Sequence, residues 1–82
     1  MKVPTIDLHG IAHYEAEHNV IRFIEKHLFT DNEIKIVTGN STRMRDIIVN
    51  ILNEYSLDYT IGKSCDAFNK GYLAVKLDYK EE

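Results

Sequence analysis

Ile6-Asp7-Leu8-His9-Gly10 closes a short apolar stretch near the start of the chain, and Ile36-Val37-Thr38-Gly39-Asn40-Ser41 closes another about thirty residues on. From Val3 to His9 apolar and polar positions alternate, Ile6 and Leu8 on one side and Asp7 and His9 on the other, which is the period of a half-buried strand. Pro4 stands at its start, where a missing amide costs little. Glu33 to Thr38, rich in β-branched residues, predicts a second strand. Both strands stop at a glycine turn that opens a helix. In α/β sheets the carboxyl ends of adjacent strands form the mouth where ligands bind, so two polar turns of this kind predict one shared site.

Working outward, Ala16, Val20, Ile24 and Leu28 recur every fourth residue between about Ala12 and Phe29, and Ile21 and Phe23 widen that stripe into a core-facing helical side. Glu15 and Glu17 sit near the positive end of this helix. Thr30-Asp31-Asn32 breaks the pattern before the second strand. Beyond it, Met44, Ile47, Ile48, Ile51, Leu52 and Tyr55 keep helical spacing, and Asn40, Ser41 or Thr42 can cap the free amides at the start. Leu57 to Ile61 and Tyr72 to Asp78 predict two further strands, with Gly62 and Gly71 bracketing the loop between them. The order is βαβαββ. Right-handed crossovers then place both helices on one face of a mixed four-stranded sheet, giving a two-layer α/β sandwich.

The chain has 82 residues, 44% of them hydrophobic and 28% charged, which predicts one small globular domain over residues 1–82. No long apolar run or basic-apolar leader is seen, so the expected location is cytoplasmic, away from membranes. Cys65 is the single cysteine, which excludes an internal disulfide and a thiolate zinc site. The net charge of -3 excludes a global cationic field of the kind that drives nonspecific nucleic-acid binding. A phosphate ligand therefore needs a local patch, for which Arg43 and Arg45 are the candidates, with Lys63 and Lys70 in the later loop.

These residues resemble the Smr, or small MutS-related, domain family over nearly the whole chain. Ile6-Asp7-Leu8-His9-Gly10 followed by Glu15-Ala16 is similar to the family's L-D-L-H-G opening and its E-A helix. Ile36-Val37-Thr38-Gly39, ahead of Met44-Arg45, resembles its H/T-G-x-G motif and L-R helix, and Gly71-Tyr72-Leu73-Ala74-Val75-Lys76-Leu77 resembles its closing glycine and last strand. Ser41 stands where that pattern has a second glycine. The resemblance implies a βαβαββ sandwich similar to the C-terminal domain of translation initiation factor three. It also implies binding to DNA or RNA and, in several members, endonucleolytic nicking or RNA cleavage. The D-x-H pair falls on Asp7 and His9, and the glycine turn on Thr38, Gly39, Asn40 and Ser41.

Residues i and i+2 of a strand point to the same side, so Asp7 and His9 can meet one substrate together. Asp7 could bind a divalent cation, Mg²⁺ or Mn²⁺, or orient the imidazole, and histidine is the side chain suited to proton transfer at neutral pH. Arg43 or Arg45, with amides from the Thr38 to Thr42 turn, could hold a phosphate. The alternative at each position is structural: Asp7 and His9 satisfying free backbone amides, Ser41 or Thr42 capping a helix, the arginines merely solvated. His13, His18 and His27 read as solvated helix residues. Tyr55, Tyr59, Phe68, Tyr72 and Tyr79 are candidates for base stacking, with Tyr55 and others expected in packing and Phe68 the one to test. Three functions stay open: a nucleic-acid-binding module, an endonuclease using Asp7 and His9, and a protein-interaction domain that kept the fold and lost the chemistry. The acidic charge and altered glycine turn permit the third.

Overall fold

In a computed structural model, which describes residues 3–39, 41–63 and 71–77, the chain folds as β1 (Thr5–Asp7), α1 (His13–His27), β2 (Glu33–Val37), α2 (Thr42–Glu54), β3 (Asp58–Lys63) and β4 (Gly71–Lys76). The four strands form one mixed sheet in the order β1-β2-β4-β3. β1 runs parallel to β2, and β4 lies between β2 and β3, antiparallel to both. The expected two-layer α/β sandwich with a mixed four-stranded sheet is the fold observed.

One parity of each strand feeds the core. Ile34 and Ile36 of β2 and Leu73 and Val75 of β4 have no solvent exposure, and they cluster with Ala16, Val20 and Ile24 of α1 and with Met44, Ile48, Ile51 and Leu52 of α2. Both helices therefore bury their apolar stripes against the same side of the sheet. The periodicity that predicted these stripes is met residue by residue, with Ile21, Phe23, Leu28, Ile47 and Tyr55 packed at the margin. Ser41 provides the predicted cap of α2, its hydroxyl accepting from the Met44 amide at 3.0 Å. At the other end Ser56 adopts a left-handed φ of 57°, and the Leu57 amide donates back to the Leu52 carbonyl, the closing bond of a Schellman-type stop.

Several boundaries differ from expectation. β1 ends at Asp7, so His9 belongs to the following turn and not to the strand. Leu57 is buried ahead of β3 and not within it. Gly62 and Gly71 both sit in the β3–β4 ladder, where Gly62 faces Tyr72 and Lys63 faces Gly71, so β3 runs two residues beyond the expected Ile61 and β4 starts one residue before the expected Tyr72. Pairing of the two strands runs through Gly62 to the Lys63–Gly71 pair, and Gly62 lacks the side chain that would collide with the Tyr72 ring. His27 is not simply solvated. Its Nδ1 lies 2.6 Å from the Asp31 carboxylate, which this bond and one from the Thr30 hydroxyl hold below its ordinary pKa, and its ring packs on Phe23. Among the described residues no helix is long and apolar enough to cross a membrane.

Candidate functional site

Parallel pairing of β1 with β2 sets Asp7 opposite Val37, and the Leu8 amide donates to the Val37 carbonyl at 2.8 Å. The strand-end turns that follow are thus neighbours, as the sequence predicts. In the first, the Ile11 amide donates to the Leu8 carbonyl, with Gly10 at φ 80° as the left-handed residue such a turn requires. Asp7 reinforces it by accepting the His9 amide at its Oδ1, 2.9 Å away. This is the structural role weighed for Asp7, and among the described residues no hydrogen bond joins its carboxylate to the imidazole. Leu8 is fully buried, while Asp7 and His9 on either side of it are exposed. Strand alternation therefore places Asp7, and the turn places His9.

The second turn is built differently. Thr38 and Gly39 both donate their amides to the Gly71 carbonyl at 3.1 Å, and the Gly71 amide returns a bond to the Gly39 carbonyl at 3.2 Å. Two residues after β2 thereby oppose one residue of β4, the signature of a β-bulge, and Gly39 takes the left-handed φ of 74°. Thr38 is buried, and its hydroxyl lies 3.5 Å from the carbonyl oxygens of both Gly39 and Gly71. These two amides and this hydroxyl serve the backbone and are not offered to a ligand. A Cβ on Gly71 would stand 2.9 Å from the Gly39 carbonyl oxygen, so only glycine admits this approach. Gly71 is thus part of the site's scaffold, a role that its position in the sequence did not reveal because it depends on strand order.

His9 spans the two turns. Its Cδ2 lies 3.5 Å from where a Cβ on Gly39 would be, so the exposed imidazole rests over the second turn. Beside it α2 begins with exposed Ser41, Thr42 and Arg43, and the Thr42 and Arg43 amides are among those that no helical carbonyl satisfies. Arg45 is half-buried. Two positions along a helix are about 200° around its axis, so Arg43 and Arg45 diverge and do not form one clamp. The Lys63 backbone pairs with Gly71 and so ends β3 at this same end of the sheet. Asn40, Lys70, Cys65, Phe68, Asp78 and Tyr79 lie outside the described residues.

For a divalent cation the available donors are few. Among the described residues no group of three His, Cys, Asp or Glu side chains is placed to hold a metal. Asp7 would be the one carboxylate, with one oxygen already committed to the His9 amide, and such a cation would fit only as one shared with substrate phosphates. No protein-family model, curated protein or solved structure matches this chain.

Proposed function

We propose that the protein is a nucleic-acid-binding domain of the Smr-like kind, contacting DNA or RNA at the mouth formed by the carboxyl ends of β1 and β2. The reading is supported chiefly by one observation: the exposed His9 ring lies across the two strand-end turns, beside the first turn of α2. A phosphate there meets free amides of Thr42 and Arg43, the positive ends of two helix dipoles and the Arg43 guanidinium, all within an otherwise acidic chain. His9 supplies a further donor, and Asp7 holds its backbone in place. Thr38 and Gly39 act as supports of the turn, and Ser41 as a cap that orders the amides.

A gel assay of the purified chain on labelled structured RNA and on supercoiled DNA, at rising salt, tests the proposal. The expected result is a shift that fades with salt and is weakened by His9→Ala and by Arg43→Ala, each variant keeping the wild-type circular dichroism spectrum. Absence of a shift on every substrate overturns it and leaves the protein-interaction reading. Cleavage in Mg²⁺ or Mn²⁺ that chelator and His9→Ala both abolish would make the protein an endonuclease acting at the same mouth.

A further inference from the structure

The side of the sheet away from the helices carries a second feature. Strand register places Asp7, Val37, Tyr72 and Gly62 in one row across that open face, and Thr5, Lys35, Ala74 and Thr60 in the next. The other two positions on the central strands, Val37 and Ala74, carry short side chains, and Gly62 on the edge strand β3 carries none. Tyr72 leans over its partner Gly62, where a Cβ would come within 2.6 Å of the tyrosine Cε1 and Oη. The absence of a side chain at Gly62 therefore gives the ring a floor of bare backbone to lie on. Lys35, diagonal to it on β2, holds its ammonium 4.2 Å from the ring centroid. Among the described residues no ion pair engages Lys35.

The geometry points to Tyr72 and Lys35 as a stacking subsite for an unpaired nucleobase, so that the ligand of this domain is a single strand crossing from the mouth onto the open face. The inference rests on the nucleic-acid reading above and narrows its substrate class. A base has a π-face that matches the ring, and its neighbouring phosphate has the charge that Lys35 lacks a partner for. Stacking on an aromatic side chain outweighs an exposed cation–π contact, so an incoming base displaces the ammonium from the ring and the ammonium turns to the phosphate. The subsite continues the mouth. Asp7 heads the same cross-strand row two strands from Tyr72, a separation of about 10 Å at ordinary strand spacing. A duplex cannot use the ring, because its bases are already stacked and paired.

Of the aromatic residues weighed from the sequence, the described structure sets Tyr55 and Tyr59 against the core and leaves Tyr72 on the open face. Fluorescence anisotropy of end-labelled oligouridylate, oligothymidylate and a blunt hairpin duplex closed by a base-free linker, titrated with the whole chain, decides the matter. Tyr72→Leu covers Gly62 without a π-face, and Tyr72→Phe keeps the ring; thermal melts followed by circular dichroism certify that each is folded. We expect single strands to bind more tightly than the hairpin. Tyr72→Leu should weaken single-strand binding about tenfold, Lys35→Ala less, and Tyr72→Phe hardly at all, with hairpin binding unchanged throughout. Folded Tyr72→Leu binding single strands like the wild type, while His9→Ala loses binding, overturns the subsite and leaves the mouth standing. Wild type that binds only the hairpin also overturns it. Wild type that binds none of the three overturns both.

Discussion

The two strand-end turns look alike in sequence, each a polar run with a glycine after an apolar strand, yet they are held in opposite ways. The first is an exposed turn closed by its own residues, the Asp7 carboxylate on the His9 amide and the Ile11 amide on the Leu8 carbonyl. The second is a buried bulge closed from outside, by Gly71 of a strand more than thirty residues further on. Both glycines are left-handed, at φ 80° and 74°, so local stereochemistry does not separate them. Their surroundings do. A turn closed locally can present its side chains to a ligand; a turn closed by a distant strand spends its polar groups on the fold. The same two motifs therefore divide the labour, with His9 as the presented group and Thr38, Gly39 and Gly71 as its support.

The most severe way to break this contrast lies beneath the first turn. Leu8→Ala empties a fully buried position between two exposed ones and should cost about 2–5 kcal/mol in urea denaturation, a loss His9→Ala next door should not share. Next comes the distant brace. Gly71→Ala pushes a methyl group to 2.9 Å from the Gly39 carbonyl oxygen, and we expect a cost of about 1–3 kcal/mol, with nucleic-acid binding at the mouth reduced even where the protein remains folded. Gly10→Ala meets no neighbour within 4 Å, so its cost should be only that of a left-handed alanine, about 1–2 kcal/mol. A Gly10→Ala variant less stable than Gly71→Ala would reverse the assignment of which turn is braced.

Smaller effects sharpen the comparison. Ser41→Ala removes the cap on the Met44 amide and should lower stability by about 1 kcal/mol, measured by thermal melting. His9→Ala should change stability by no more than about 0.5 kcal/mol, as expected of an exposed residue, while weakening the gel shift. If His9→Ala instead destabilises as much as Ser41→Ala, the imidazole is a packing group over Gly39 and not the presented one.

Reading the sequence alone recovers the elements because each of them is announced locally. The helical stripes of Ala16, Val20 and Ile24 and of Met44, Ile48 and Leu52 need only a period near 3.6, and the strand at Ile34 and Ile36 needs only alternation. The boundaries of β3 and β4 were less legible. Gly62 reads as a loop residue by propensity, but the Tyr72 ring occupies the space above it and keeps it in the ladder. The candidate site was legible in its two turns and in the Ser41 cap. It was not legible in the inward role of Thr38 or in the brace at Gly71, both of which depend on strand order.

What the sequence by itself determined is the succession βαβαββ, the apolar sides of β1 and of both helices and the two glycine turns at strand ends, since periodicity and left-handed backbone are properties of neighbouring residues. The tertiary structure alone decided that β4 inserts between β2 and β3, because strand order follows from how the sheet closes over a common core and not from any local pattern. That single insertion carries Gly71 to the second turn and Tyr72 to Gly62 and Lys35. It joins residues far apart in the chain by backbone hydrogen bonds whose register no segment specifies alone.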